Sequence, residues 1–150
     1  MSSPLPQLGQ RPLIALIDRA NRAFQNHMVE AQHRRGHPVV KHAHNAVFGT
    51  LLEGGSRASD MATRAGITRQ SMGEVIREMV DLGILEMKPD PEDRRAKLVT
   101  YTEAGRELAR DGYQHLIDLE TRFAEEFGED EYQLVRKFLE RVVTLLDEVE

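Results

Sequence analysis

The sequence has no cysteine among its 150 residues. That excludes disulfides, cysteine-based zinc sites and thiol redox switching together. Long apolar runs are missing as well. No stretch approaches the roughly 20 residues that a bilayer-spanning helix needs, so no membrane role is expected. The first ten residues, MSSPLPQLGQ, lack the basic start and apolar middle of a secretory signal. Residues 1–11 read instead as a flexible arm, and the expected location is the cytoplasm. Catalytic signatures are also lacking: there is no nucleophile–base spacing, phosphate loop or metal motif, and GEDEY (128–132) is only an acidic turn and helix start. An enzyme is the weakest reading, and no cofactor is expected.

What is present is ordinary for a globular chain: 40% hydrophobic and 30% charged residues, enough for one domain over 1–150 with a real core. The net charge of -5 is unevenly spread. Residues 1–55 carry six Lys/Arg against three Asp/Glu, residues 56–102 eight of each, and residues 103–150 six against fourteen. Acidity is thus concentrated in the C-terminal third, and a polyanion could still meet a basic surface elsewhere.

Apolar residues at Leu13, Ile17, Ala20, Phe24, Met28 and Ala31 recur at helical spacing from Pro12 to about Arg34. RRGHP (34–38) ends that segment. A second helix is expected over Val40–Leu52, with Ala43, Val47 and Leu51 on one side and EGG (53–55) stopping it. Two short helices follow. Ser59 is placed to cap DMATRA, which ends at Gly66, and Thr68 to cap RQSMGEVIREMVDL, which ends at Gly83. This is a helix-turn-helix pattern. The period then changes: ILEMK and AKLVTYT read as strands, and the PDPEDRR between them as a hairpin loop that holds both prolines off the ladder. Thr102 is placed to cap a long helix with Leu108, Leu116, Leu119, Phe123 and Phe127 in its stripe. GED (128–130) breaks it, and a last helix carries Leu134, Phe138, Val142, Leu145 and Val149. The expected fold is mainly α with a small β-hairpin wing: a winged helix-turn-helix between long terminal helices.

Projection of Thr68–Leu82 at about 100° per residue puts Met72, Val75, Ile76 and Met79 on one side. Gln70, Gly73, Glu74, Arg77 and Asp81 face the other way, with Arg69 and Ser71 beside them. A helix that enters the major groove needs this apolar back and polar N-terminal end. Gln70 suits adenine, Arg69 or Arg77 suits guanine or phosphate, and Ser71 a phosphate or base edge. Glu74 and Asp81 count against DNA, because carboxylates repel phosphates. Gly73 costs about 1 kcal/mol relative to alanine in a helix interior. It marks either close approach to DNA or nothing at all. Arg94, Arg95 and Lys97 crowd the hairpin tip, where a wing reaches the minor groove, and Glu92 or Asp93 is placed to hold one arginine. The alternative is a solvated ion-pair cluster on an ordinary surface.

The stretch ASDMATRAGITRQSMGEVIREMVDLGIL, then DPEDRRAKLV, then TEAGREL (residues 58–108) resembles the MarR (multiple antibiotic resistance regulator) family of winged helix-turn-helix transcription factors. The specific part is the D-x-R of Asp93-Arg94-Arg95, followed by a strand and T-x-x-G. The flanking helices match in length and order. The resemblance implies a homodimer formed by helices 12–35 and 103–150, and a DNA-binding lobe at 40–102 that reads palindromic operator DNA. It makes the helix from Thr68 the recognition helix, Arg95 the wing residue and Asp93 its support. The candidate DNA-contacting set is Ser59, Thr68, Arg69, Gln70, Ser71, Gly73, Arg77, Arg94, Arg95 and Lys97. It also implies a small phenolic or anionic effector, for which Ile17, Phe24, His44, Phe48 and Met72 are candidates, though each reads first as ordinary core. His33, His37, His42 and His44 invite a metal reading, but His42 and His44 do not share a helix face, so no metal site is assigned. A competing reading is a winged helix that binds protein rather than DNA, supported by the acidic C-terminal third.

Overall fold

Proline is tolerated best at a helix start, and the first helix, α1 (Leu13–Arg34), opens on Pro12, whose carbonyl accepts the Ala15 and Leu16 N–H groups at 3.0 and 3.3 Å. The computed structural model describes Pro4 and residues 8–148. Most of the expected N-terminal arm, and Val149 of the expected last stripe, lie outside those residues. α1 ends at Gly36 (φ 93°), where the His37 N–H reaches back to the Gln32 carbonyl at 3.0 Å. Only its C-terminal part is buried, through Val29, Ala31 and Gln32. Leu13, Ile14, Leu16, Ile17 and Phe24 are exposed.

The helix expected over Val40–Leu52 shrinks to a 3₁₀ turn (His42–His44) and the four-residue α2 (Asn45–Phe48). Lys41 is extended, and the Thr50 and Leu51 N–H groups both close onto the Val47 carbonyl, ending the helix well before EGG. The chain is then drawn off to pair Ser56 with Val99 through two backbone bonds of 3.0 and 2.8 Å. That pairing sets where α3 (Ala58–Ala65) begins. Arg57, not Ser59, stands at its N-cap, without a side-chain cap, and Ser59 is the second helical residue. Gly66 at φ 67° closes α3 as expected, with the Ile67 N–H on the Ala62 carbonyl.

α4 (Arg69–Asp81) is capped by Thr68, whose hydroxyl accepts the Ser71 N–H at 3.0 Å. Gly83 (φ 77°) ends it, and Ile84 N–H returns to the Met79 carbonyl. β1 (Leu85–Pro89) and β2 (Lys97–Tyr101) pair antiparallel, with Leu85 opposite Tyr101 and Pro89 opposite Lys97. Pro89 therefore belongs to the strand and not the loop. The next pair is bonded, Asp90 N–H to Ala96 carbonyl at 3.0 Å, so position 89 falls at a pair that needs no N–H. Leu85 is buried but Met87 is 40% exposed, so only the start of β1 meets the core. That core gathers Val29, Val47, Met61, Met72, Ile76, Met79, Ile84 and Val99.

α5 (Glu103–Phe127) is capped by Thr102, whose hydroxyl accepts the Gly105 N–H at 3.0 Å. Gly128 (φ 93°) breaks it. Glu129 and Asp130, expected in the break, open α6 (Glu129–Glu148), where their charge suits the helix dipole. The chain divides into two compact units, Met1–Gly112 and Tyr113–Glu150. In the second, Arg136 of α6 reaches Glu120 of α5 at 3.0 Å, and none of α6's described residues is buried. Among the described residues no helix is long and apolar enough to cross a membrane.

Among the glycines of the first unit, Gly105 has the least room: a Cβ there would stand 1.9 Å from the Ile84 carbonyl oxygen. Backbone cannot yield as a side-chain tip can. Gly105→Ala should cost about 3 kcal/mol, lowering Tm by roughly 6–12 °C in a thermal melt.

Candidate nucleic-acid interface

The two faces of α4 separate as the projection expects. Met72, Ile76 and Met79 are buried and Val75 is half-buried. Arg69, Gln70, Ser71, Glu74, Arg77 and Asp81 are exposed. At the N-terminal end, the Thr68 hydroxyl is committed twice: it accepts from the Ser71 N–H and donates to Ser71 Oγ at 2.9 Å. Ser71 keeps its own hydroxyl proton free to donate outward. Gly73 is half-buried on this face, and its nearest neighbours are the guanidinium atoms of Arg77. Ser59 is half-buried in the first turn of α3.

The back of α4 is anchored by charge. Lys41 Nζ pairs with Glu78 Oε1, and Glu78 Oε2 lies 3.6 Å from Nε2 of the fully buried His44. His44 Nδ1 accepts the Lys41 N–H at 3.2 Å, which places the ring proton on Nε2, toward Glu78. Burial holds the imidazole below its ordinary value against the opposing pull of Glu78. The other three histidines go elsewhere: His33 to the Val40 carbonyl, His37 to Asp111 and His42 to Asn26. Among the described residues no three metal-ligating side chains converge.

The wing rests on a carboxylate that sequence reasoning passed over. Asp90, only 6% exposed, takes both Arg57 Nε (2.9 Å) and Nη2 (2.8 Å) on Oδ2, and the Glu92 N–H (2.9 Å) on Oδ1. The Glu92 N–H first, and then the Arg57 guanidinium, hold its carboxyl below the usual carboxylate range. This ties the foot of the wing to the start of α3. Its only sequence signal is the turn-forming Pro-Asp-Pro. At the tip, Asp93 supports Arg95 through the backbone: its Oδ1 accepts the Arg95 N–H at 3.0 Å. The Arg95 side chain is left to solvent. Among the described residues Arg94, Arg95 and Lys97 are exposed and without an ion-pair partner, as are Arg69 and Arg77.

The effector candidates do not converge in this way. His44 and Met72 are fully buried in the lobe, and Phe48 stacks on Tyr101 at 6.3 Å between ring centroids. Ile17 and Phe24 lie on the exposed part of α1. A cleft of about 310 Å³ is lined instead by Glu53, Lys88, Leu98, Tyr101 and Arg106, among others. Burial pushes the Tyr101 phenol up to about 12.

Capped helix-turn-helix, Ser56–Val99 bridge and cation-tipped hairpin together define a winged helix-turn-helix. The family model described as MarR family matches residues 43–96. A Mycobacterium tuberculosis protein, Rv2011c, is 29% identical over 85 residues, 57% of this chain. The chain matches about three fifths of the length of that relative, 59%. Among solved structures, the MarR family transcription regulator SP03579 superposes with a TM-score of 0.73 at 20% identity, covering 91% of each chain. CouR, a transcriptional repressor bound to a 23-mer DNA duplex, gives 0.70 at 20% identity over 88% of this chain and 92% of its own. PcaV from Streptomyces coelicolor, in complex with its natural ligand, gives 0.69 at 22% identity over 99% and 100%. Residues 43–96 thus match the model of the MarR family, and the chain has the fold of these solved regulators.

Two pH effects follow with definite sign. Because Asp90 is depressed, its contribution is present above its ordinary pKa of 3.8 and is lost as pH falls through its lower folded value. The urea midpoint of the wild type should drop below about pH 4, and Asp90→Asn should be less stable at pH 7 but flatter in that range. His44 is also depressed, so the folded protein binds fewer protons than the unfolded chain below pH 6.5. Stability should decline as pH falls from there, and His44→Phe should flatten that decline.

Proposed function

We propose that this chain is a homodimeric transcription regulator, a repressor, that binds palindromic operator DNA in the cytoplasm and leaves it when a small phenolic or anionic effector binds. The observation that carries DNA binding is the set of unpaired cations. The chain pairs Arg57 and Lys41 internally yet leaves Arg69, Arg77, Arg94, Arg95 and Lys97 free, on the outer face of α4 and on the wing. In this reading α4 lies in the major groove, with Arg69, Gln70 and Ser71 at its reading end. Arg95 enters the minor groove, with Arg94 and Lys97 on phosphates. Ser59 and Thr68 line the approach to the backbone.

Support for the dimer is the apolar surface left open. On α1, Ile14 is 77% exposed; on α6, Leu134 and Leu146 are 67% and 68% exposed, with Val135, Phe138 and Val143 beside them. Apolar surface of this extent on α6 alone is unusual on a monomer. A two-fold dimer would cover it and present two recognition helices to major grooves about 34 Å apart. The effector would act by differential affinity, favouring a spacing of the two lobes that does not fit DNA.

Duplexes selected from a random library should be palindromic and bind more weakly as salt rises. Arg95→Ala should reduce the log–log salt slope by about one, and Gln70→Ala should relax base preference at one position per half-site. No duplex binding at low salt would remove the proposal in favour of a protein-binding winged helix. Leu134→Glu with Phe138→Glu should shift the sedimenting species from dimer to monomer.

A further inference from the structure

Gly73 stands in the interior of α4, one turn before Arg77 on the same exposed face. Other glycines of this lobe have evident reasons: Gly66 and Gly83 take positive φ at helix ends, and Gly105 passes against the Ile84 carbonyl. Gly73 is helical, and no neighbouring element presses on it. A Cβ built there would meet Arg77 alone, 3.3 Å from Nη1 and 4.0 Å from Cζ and Nη2. Helical side chains lean toward the N-terminus, so a long residue lies over the position four before it. Here that position is bare backbone, and the guanidinium settles onto it.

We infer that Gly73 is a positioning residue for Arg77, leaving a slot that seats one guanidinium nitrogen on the surface of α4, toward the N-terminal end with Arg69, Gln70 and Ser71. This deepens the DNA-binding reading above and rests on it. The slot brings the charge of Arg77 down to the helix surface and toward the end that meets base edges. It also narrows the rotamers Arg77 visits before binding, so less side-chain freedom is lost on contact. A methyl group there would stand 3.3 Å from Nη1, so the guanidinium would have to give way by a few tenths of an ångström and lose this seat on the helix surface. Since glycine is a poorer helix former than alanine, filling the slot should move stability and affinity in opposite directions. A merely structural glycine would not do that.

The test is a double-mutant cycle with Gly73→Ala, Arg77→Ala and the double variant, each titrated against a palindromic duplex selected by the wild type. Gly73→Ala should raise Tm by about 2–4 °C. It should weaken binding about three- to tenfold when Arg77 is present, and less than about twofold in the Arg77→Ala background. An equal loss in both backgrounds would mean that Gly73 meets DNA itself and would overturn the inference. No loss in either background would overturn it too, with the DNA-binding reading intact. If the wild type selects no duplex, both fall together.

Discussion

The carbonyl oxygen of Ile84 accepts the Thr102 N–H at 3.0 Å, and the bare Cα of Gly105 packs directly against it. Ile84 is the residue between the end of α4 and the start of β1; Thr102 and Gly105 begin α5. One polar group therefore ties together the end of α4, the foot of the hairpin and the start of α5. Thr102 also donates to the Gly83 carbonyl while it caps α5. The start of α5 is thus fixed by backbone packing rather than by a loop. A side chain at position 105 would force these elements apart.

Around that joint the chain sorts its charges by use. Carboxylates do internal work: Asp90 holds Arg57 beneath the wing, and Glu78 holds Lys41 behind α4. Asp93 spends an oxygen on the Arg95 N–H. On the outer face of α4 and on the wing, Arg69, Arg77, Arg94 and Arg95 are exposed and without an ion-pair partner among the described residues. The net charge of -5 does not contradict this, because the excess acid belongs to residues 103–150. An acidic protein can carry a basic reading surface if its carboxylates are either elsewhere or already engaged.

Much of the lobe was legible because its signals are local. Thr68, Gly66, Gly83 and Thr102 act through bonds spanning a few residues, and the apolar period of α4 needs no partner to be read. T-x-x-G gained a physical meaning only with the fold, since the clash that requires Gly105 lies with Ile84, more than twenty positions away. The misreadings share one cause. The Val40–Leu52 period was real at Val47, yet the pairing of Ser56 with Val99 drew the chain out of a helix. The same pairing moved the start of α3 ahead of Ser59. Pro89 reads as loop in the sequence because its place in the ladder depends on the register of the opposite strand.

Sequence by itself determined where α3 and α4 end, where α4 and α5 begin, which side of α4 is apolar and which residues crowd the hairpin tip. These follow from local hydrogen bonding, backbone φ and a 3.6-residue period, all carried within one segment. Only the tertiary structure decided which charges are free. Arg57 and Arg95 look alike in sequence, each an arginine beside a turn or helix start. Asp90, far from Arg57 along the chain, takes one guanidinium, while Asp93, two residues from Arg95, takes only its backbone N–H. An ion pair needs two side chains within a few ångströms, and distance in space is what a sequence does not record.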